Sequence, residues 1–207
     1  KVDRSFATGI AGFSHVVDSL SAIKYAKVKT VRNEEGLVVD YETTGDFPKY
    51  GNDDDYVDNL TRDAYQVYID EIAKYHNTRY GRGPIGGGYF PGTSSISANV
   101  PQGAGLCATP DGRRKGEPLA EGCSPSHSMD THGPTAVFKS VSKLPTLKLN
   151  GGVLLNQKLT PQSLEQERDV QKLILMLLNY WKALMLMDNN WHKKRIFNIF
   201  WIGMKVN

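Results

Sequence analysis

Residue types that could do chemistry concentrate in the middle of the chain. His127, Asp130 and His132 lie within six residues of one another, and imidazole and carboxylate groups placed so close together can ligate a metal ion or exchange protons. Their spacing matches no zinc signature, and no further ligand lies nearby in the sequence. We therefore expect a hydrogen-bonded brace within a loop and no metal site.

The two cysteines, Cys107 and Cys123, are separated by fifteen residues and form no CxxC motif. This spacing does not indicate a metal site. Two cysteines in a chain of 207 residues are typical of a reducing compartment, in which thiols stay free. A disulfide between them is the less favoured alternative.

A tight turn is predicted at Thr109-Pro-Asp-Gly-Arg113. Proline fixes φ at the first central position, aspartate can accept a hydrogen bond from its own backbone, and glycine tolerates positive φ. The basic residues Arg113, Arg114 and Lys115 could bind an anion, but we favour a solvated basic surface. The glycine clusters at 86–88 and 103–105 fit neither a P-loop nor a dinucleotide-binding motif.

The composition is that of a globular protein without a nucleic-acid or membrane partner. Hydrophobic residues make up 40% and charged residues 23%, and 25 basic against 22 acidic residues leave a net charge of +3, spread along the chain. The longest apolar run, 173–178, is far shorter than the roughly 20 residues of a membrane span. No signal peptide is recognisable, and Lys1-Val-Asp-Arg4 looks like an internal stretch of a longer chain. Together with the two cysteines, this predicts a cytoplasmic protein.

Hydrophobic periodicity predicts the elements that position these residues. Helices are predicted for 10–26 and 57–75, with two short strands between them on either side of a turn at 34–36. In the first helix we expect the following side chains to be buried: Ile10, Phe13, Val16, Val17, Leu20 and Ile23. In the second helix the corresponding set is Leu60, Ala64, Val67, Tyr68 and Ile72.

The centre of the chain, residues 80–134, is rich in glycine, proline and serine and predicts long irregular loops. Its larger apolar residues predict that these loops are packed: Tyr89, Phe90, Ile96, Val100 and Leu106. After it we expect a helix over 136–144 that ends before Pro145, and a strand over 152–159. A further helix is predicted to begin after Thr160, with Pro161 at its first position.

Several motifs follow one another along the chain. They are Gly9–Gly12, Asp18–Ala26, Asp46–Asp53, Ser95–Asn99, Cys107–Pro118, Ser124–His127, Gly133–Ala136 and Lys139–Leu144. Over about residues 4–180 this set resembles the C-terminal half of the glycyl radical enzymes. That superfamily includes pyruvate formate-lyase and the related radical dehydratases and decarboxylases.

The resemblance implies an α/β fold class: part of a ten-stranded α/β barrel of the pyruvate formate-lyase type, with surrounding helices and long ordered loops. In the complete enzyme one finger loop carries a cysteine that becomes a thiyl radical, and another carries a glycine that stores the radical. A separate iron–sulfur activating enzyme that uses S-adenosylmethionine installs it. We expect no other bound cofactor, a small-molecule substrate, and a homodimer when the enzyme is complete.

By their position in the resemblance, Ser94 and Ile96 line the substrate cavity of the barrel. Residues two apart in a strand point to the same face, so the pairing is geometrically consistent. Ser94 stands where pyruvate formate-lyase has an apolar side chain, which predicts a substrate with a hydroxyl or other polar group; a packing role for Ser94 is an equal alternative. No catalytic residue is expected in this chain, because neither Cys107 nor Cys123 lies in the matching finger loop.

The resemblance ends near residue 180, so we divide the chain into a partial barrel domain, 1–180, and a divergent tail, 181–207. In this tail Trp191-His192 and Phe197-Asn198 weakly resemble the family sequence, and Lys193-Lys-Arg195 interrupts them. Gly203 lies between Ile202 and Met204 with no following tyrosine, unlike the radical glycine of the family. A frameshift, a truncation or a deliberate fragment would account for the tail.

The motifs from Glu117 to Val137 look closer to the dehydratase and decarboxylase branches than to true pyruvate formate-lyase. We therefore expect part of an enzyme that cleaves a C–C or C–O bond of a small organic acid or alcohol through a thiyl radical, and an isolated chain that is inactive. The alternatives are a true formate C-acetyltransferase, a non-catalytic subunit that pairs with chains supplying the two finger loops, and a non-functional remnant.

Overall fold

The computed structural model describes residues 6–75, 89–93, 98–149 and 151–157, together with Gln171, Ile174 and Leu175. In chain order these residues form β1 (Phe6–Thr8), α1 (Phe13–Tyr25), β2 (Lys27–Arg32), β3 (Val38–Thr44), α2 (Asp55–Ile72), β4 (Tyr89–Pro91), α3 (Asn99–Ala104) and α4 (Pro134–Ser142), followed by a 3₁₀ turn at Thr146–Lys148. The chain divides into two compact units at residue 154, and the description below concerns the first of them.

Two small sheets are present in the described residues, and they differ in direction. β1 and β4 are parallel, with Phe6 opposite Tyr89 and Thr8 opposite Pro91. β2 and β3 form the antiparallel pair predicted across the turn at 34–36, with an irregularity between Val31 and Arg32. Since parallel strands need a crossover, the chain from β1 to β4 passes through both helices α1 and α2. The result is a mixed α/β unit without a closed barrel among the described residues.

Helix α1 is confirmed, but the face that we expected to be buried is wrong. The helix starts after Gly12, whose φ of +77° suits glycine and whose N–H donates to the carbonyl of Ala120 at 2.8 Å. Of the six apolar side chains that we expected to be buried, only Phe13 and Val17 are, while Val16, Leu20 and Ile23 are exposed; Ala22 is also buried. The buried side instead carries polar residues: Ser14, His15, Asp18, Ser19 and Ser21.

Helix α2 is likewise confirmed with a different buried stripe. Asp54 caps it, accepting hydrogen bonds from the N–H groups of Tyr56 and Val57. The buried side chains are Val57, Asp58, Thr61, Tyr65 and Ile69, whereas Val67 is 71% exposed. The phase is set by the Tyr65 ring, which stacks on Phe13 of α1 with 4.0 Å between centroids.

The central loops are irregular, as predicted, and much of the segment after α3 is buried. The apolar residues that fill the core here are Ala108, Leu119, Ala120 and Cys123. Val100 and Leu106, which we expected to help pack the loops, are exposed. Helix α4 begins with Pro134, two residues before the predicted start, and ends before Pro145, as predicted.

The strand predicted over 152–159 is not present over residues 152–157. This segment nevertheless runs beside the end of β4, since Gly151 N–H donates to the Pro91 carbonyl at 2.8 Å and Thr93 N–H donates to the Gly152 carbonyl at 2.9 Å. Gly152 has a φ of +105°, which breaks the extended backbone that a regular ladder needs. The helix predicted after Thr160 lies outside the described residues, except for Gln171, Ile174 and Leu175. The tail at 181–207 lies wholly outside them.

In the part of the chain that the structure describes, we find no helix long and apolar enough to cross a membrane.

Candidate functional site

The carboxyl edge of the β1–β4 pair is the place where this unit can contribute to a site, because ligands of parallel α/β sheets bind beyond the carboxyl ends of the strands. Thr8 ends β1, and its Oγ1 donates to the Phe90 carbonyl of β4 at 3.2 Å. The hydroxyl of Tyr68, on α2, lies 2.6 Å from that Oγ1 and donates to the Thr8 carbonyl at 3.1 Å. One phenol group from α2 therefore fastens the end of β1, which in turn bonds to β4.

The residues that leave β4 are tightly enclosed. A Cβ at Gly92 would lie 2.9 Å from the carbonyl carbon of Gly151, so a side chain there would displace backbone. Thr93 is fully buried, and its Oγ1 accepts the N–H of Leu154 at 2.9 Å. The exit of β4 is thus held in a dry environment by main-chain contacts.

Ser94 and Ile96, the predicted substrate-binding residues, follow at once but lie outside the described residues. Their placement on the cavity side of a barrel strand therefore stays a prediction. What the structure adds is the position of the residue before them, Thr93, at the carboxyl edge of the parallel pair.

A buried polar cluster joins α1 to the Cys107–Pro118 stretch. His15 Nδ1 lies 2.6 Å from Asp111 Oδ2, and His15 Nε2 accepts the N–H of Ala120 at 3.1 Å. Since Nε2 is an acceptor, the ring is the neutral tautomer with its proton on Nδ1, which donates to an ionised Asp111. Burial alone would raise the pKa of Asp111, but hydrogen bonds from His15 and Thr109 hold it below its ordinary value. Both ring nitrogens are occupied, so the pair braces the fold and is not a free acid–base group.

Asp18 lies at the other end of the same cluster. Its Oδ1 accepts the N–H of Tyr50 at 2.8 Å, and its Oδ2 accepts the Ser126 hydroxyl at 3.3 Å. Burial raises the pKa of Asp18 to about 7, an effect to which the nearby negative charge of Asp111 adds. A carboxyl that is half protonated near neutral pH therefore lies inside the core.

The turn at Thr109–Arg113 is confirmed, but the solvated surface predicted for Arg113 is wrong. Thr109 N–H donates to the Arg113 carbonyl at 2.9 Å, and Gly112 has a φ of +102°. Arg113 is only 5% exposed, because its guanidinium donates to the main-chain carbonyls of Cys107, Arg114 and Glu117. Arg114 and Lys115 are exposed, as expected. Arg113 organises its own loop.

Neither cysteine takes part in a disulfide. Cys107 is exposed, and Cys123 is buried beside Thr93 and Leu154. Burial raises the pKa of the Cys123 thiol to about 12, so it is uncharged at neutral pH and is not a thiolate nucleophile. Within the described ranges, no group of three or more His, Cys, Asp or Glu residues could hold a metal ion.

The loop brace predicted around His127, Asp130 and His132 is present in part. The Asn52 Oδ1 accepts the N–H groups of Thr131 and His132 at 2.8 and 3.0 Å, and the His132 ring contacts the Asn52 carbonyl at 3.0 Å. His127 is exposed. Asn52, which motif reasoning did not single out, is the centre of this brace.

A second ionic cluster links α4 to the start of α2. Lys143 Nζ lies 2.8 Å from Asp55 and from Asp58, and 3.1 Å from Asp53. Asp58 is fully buried, and burial raises its pKa despite the neighbouring ammonium. Burial would lower the pKa of Lys143, but the three carboxylates hold it above its ordinary value. The cluster holds the two helices together. Because the ammonium donates to all three carboxylates, it has no N–H group left to donate to a ligand.

Sequence reasoning missed the polar clusters because their members are far apart in the chain. His15 and Asp111, for example, are separated by 96 positions. The one local signal was the spacing of His15, Asp18 and Ser19, which share a side of α1 at helical period.

Two family models match the chain in sequence order. One, described as pyruvate formate lyase-like, matches residues 2–103, and one described as glycine radical matches residues 119–197. A protein of Escherichia coli (strain K12) named "Probable dehydratase YbiW" is 60% identical over 145 residues, which are 70% of this chain and 17% of that protein.

Solved structures of dehydratases match 86–87% of this chain. The glycerol-bound B12-independent glycerol dehydratase of Clostridium butyricum matches with a TM-score of 0.68 at 34% identity, over 86% of this chain and 24% of its own. A structure on 1,2-propanediol dehydration in Roseburia inulinivorans gives 0.69 at 30%, over 87% and 24%. The hydroxyproline dehydratase of Clostridioides difficile gives 0.67 at 28%, over 86% and 23%. The chain thus spans about a quarter of each of these proteins.

Proposed function

Because this chain belongs to the glycyl radical enzymes of the pyruvate formate-lyase type, we propose that it forms part of a dehydratase that cleaves a C–O bond of a small hydroxylated substrate. The observation that carries the proposal is the 60% identity to a probable dehydratase. Three structural relatives support it, because two of them are named as dehydratases and the third is described in terms of dehydration. Among the expected branches, dehydration is therefore favoured over decarboxylation and over formate C-acetyl transfer.

The reaction would remove water without net oxidation. In a vicinal diol, one C–O bond breaks, the hydroxyl leaves as water with a proton, and the carbon skeleton remains as an aldehyde. The protein radical of the complete enzyme would supply the hydrogen-atom transfer that starts this step. Such chemistry needs a cavity closed to bulk solvent, since oxygen and stray C–H bonds would quench the radical.

The chain's own contribution is a wall of that cavity. The end of β1 is fastened to α2 by Tyr68, and the exit of β4 is enclosed at Gly92 and Thr93. We infer that Ser94 and Ile96, which come next, contact the substrate. Ser94 would bond a substrate hydroxyl and Ile96 would exclude water.

The remaining partners follow from the family. The complete enzyme would carry a glycyl radical installed by an iron–sulfur activating enzyme that uses S-adenosylmethionine, act as a homodimer, and work in the cytoplasm. The isolated chain would be inactive, because it is proposed to be the housing and not the source of the radical.

A substrate panel tests the proposal. Residues of this chain are grafted into the E. coli relative in place of its matching segment, and the graft is activated anaerobically. Glycerol, propane-1,2-diol and trans-4-hydroxy-L-proline are each offered, and water loss is followed by product analysis. Pyruvate with coenzyme A is offered in parallel. Turnover of at least one hydroxylated substrate supports the proposal, whereas acetyl-CoA and formate formed from pyruvate and coenzyme A would establish the acetyltransferase alternative.

A matched pair of variants tests the site. Ser94→Ala should lower kcat/KM by about 5- to 150-fold, the equivalent of about 1–3 kcal/mol for a hydrogen bond lost in a buried site. Ser95→Ala is the control, because the neighbouring side chain of an extended strand points to the opposite face. Equal effects of the two variants would remove Ser94 from the site.

A further inference from the structure

The hydroxyl of Tyr68 contacts the carboxyl ends of both strands of the parallel pair. Its oxygen lies 2.6 Å from Thr8 Oγ1 and 3.1 Å from the Thr8 carbonyl oxygen, at the end of β1. The same oxygen accepts the main-chain N–H of Gly92, one residue beyond the end of β4, at 3.5 Å. A single side-chain atom of α2 therefore joins the two strands at the point where each of them ends.

These contacts form a closed chain of hydrogen bonds that includes both strands. Gly92 N–H donates to the Tyr68 oxygen, and the Tyr68 hydroxyl donates to Thr8. Thr8 Oγ1 in turn donates to the Phe90 carbonyl of β4 at 3.2 Å. Hydrogen bonds that are linked in this way strengthen one another in a partly buried environment. A phenylalanine at position 68 would remove the central member of the chain.

The backbone between Gly92 and the predicted substrate-binding residues is short. Thr93 is fully buried, its N–H donates to the Gly152 carbonyl at 2.9 Å, and its Oγ1 accepts the N–H of Leu154 at 2.9 Å. These bonds hold Thr93 to the segment 151–154, and Tyr68 holds the residue before it to β1 and α2. Because peptide units are planar and nearly rigid, a shift of Gly92 passes through Thr93 to the next residue, Ser94.

We propose that Tyr68 is a positioning residue of the substrate site. Its hydroxyl fixes the ends of β1 and β4 relative to each other, and thereby sets where Ser94 meets the substrate. The inference rests on the proposed site at Ser94 and Ile96, and adds to it a residue of α2 that acts through the main chain. Small displacements matter there, since misplacing a group by about 1 Å can lower a rate about 100-fold.

A double-mutant cycle in the graft described above tests the proposal. Tyr68→Phe, Ser94→Ala and the double variant are compared by kcat/KM for a hydroxylated substrate, with each preparation normalised to its glycyl radical content. We expect Tyr68→Phe to lower kcat/KM about 10- to 100-fold, mainly through kcat. In the Ser94→Ala background the same substitution should cost less than about threefold, because two residues that act through one contact are not additive.

Tyr50→Phe is the matched control, since it also removes a phenol hydroxyl that donates to a main-chain carbonyl, that of Cys123 at 3.1 Å. This contact lies outside the β1–β4 pair, so its loss should leave kcat/KM nearly unchanged. Equal losses for Tyr68→Phe and Tyr50→Phe would overturn the proposal.

The cycle also separates this inference from the proposed site. A large effect of Ser94→Ala together with an equal Tyr68→Phe loss in both backgrounds would overturn the positioning role alone. A Ser94→Ala variant without effect would overturn the proposed site, and the positioning role with it.

Amide hydrogen exchange decides the matter if the graft does not fold. In the isolated chain, Tyr68→Phe should accelerate the exchange of the Gly92 amide, followed by NMR, at least about tenfold, because that amide loses its acceptor. Tyr50→Phe should leave it unchanged. Unaltered protection of the Gly92 amide in Tyr68→Phe would overturn the proposal.

Discussion

Replacing Asp18 by asparagine should stabilise the isolated chain at alkaline pH and leave it unchanged at acidic pH. The carboxyl is 1% exposed, and its two oxygens accept hydrogen bonds from Tyr50 N–H and the Ser126 hydroxyl. An asparagine can keep both contacts, since its Oδ1 accepts from Tyr50 and its amide can donate to the Ser126 oxygen. The substitution therefore removes the charge while keeping the shape.

The magnitude follows from the pKa of Asp18, which burial raises from 3.8 to about 7. Because the folded state binds the proton more tightly, the stabilising contribution is fully present below pH 3.8 and is lost as pH rises through about 7. At about 1.4 kcal/mol for each pH unit, the loss amounts to roughly 4 kcal/mol. Asp18→Asn should recover up to that amount above pH 7.

The assay is urea denaturation of the wild type and Asp18→Asn at half-unit steps from pH 5 to 8.5. The difference in unfolding free energy should favour the variant by about 1.7 kcal/mol at pH 5, grow by about 1.4 kcal/mol for each pH unit towards pH 7, and level off above that pH. Asp63→Asn, an exposed carboxylate on α2, is the control for general charge effects. A wild type that gains stability over the variant as pH rises would show that Asp18 is ionised and stabilising, and would refute the reasoning.

Three further predictions concern packing and reactivity. Lys143→Met leaves the fully buried Asp58 without its cation and should lower the free energy of unfolding by about 2–4 kcal/mol, measured by urea denaturation. Lys139→Met, at a 61% exposed side chain, should lower it by less than about 1 kcal/mol. Equal losses would contradict the role given to Asp58. Gly51→Ala should lower the melting temperature much more than Gly36→Ala. Both glycines have a similar positive φ, but a Cβ at Gly51 would lie 2.3 Å from Pro125 Cγ, whereas a Cβ at Gly36 would meet open space. Similar shifts in melting temperature would refute this prediction. Cys107, which is exposed, should react with a disulfide reagent within minutes in the native chain. Cys123 should react only after unfolding, because burial raises the pKa of its thiol to about 12. Rapid reaction of both thiols in the native chain would contradict the packing described.

Local signals predicted the elements well, and the failures are tertiary. The turn at Thr109–Arg113 depends on proline and glycine within five residues, so it is readable from the sequence. The period of α1 and α2 was right, but the buried face of each was wrong. In α1 the phase is set by Asp111 and Ser126, which are more than 90 positions away, and no periodicity argument contains them.

The same reason explains the misread basic residues. Arg113 is buried because three main-chain carbonyls of its own loop accept from it, and carbonyls of a loop are invisible to side-chain patterns. The family could be assigned from the sequence because the order of the motifs along the chain is visible there, even where the contacts of those motifs cannot be predicted. The roles of Ser94 and Ile96 remain predictions, since they rest on that order alone.

Electron paramagnetic resonance after anaerobic activation tests the central claim most directly. The isolated chain and the graft into the E. coli relative are each incubated with the radical-activating enzyme and S-adenosylmethionine. The graft should show the doublet of a backbone glycyl radical and the isolated chain should show none, because the chain is proposed to be part of the housing for the radical. A glycyl doublet in the isolated chain would contradict this account.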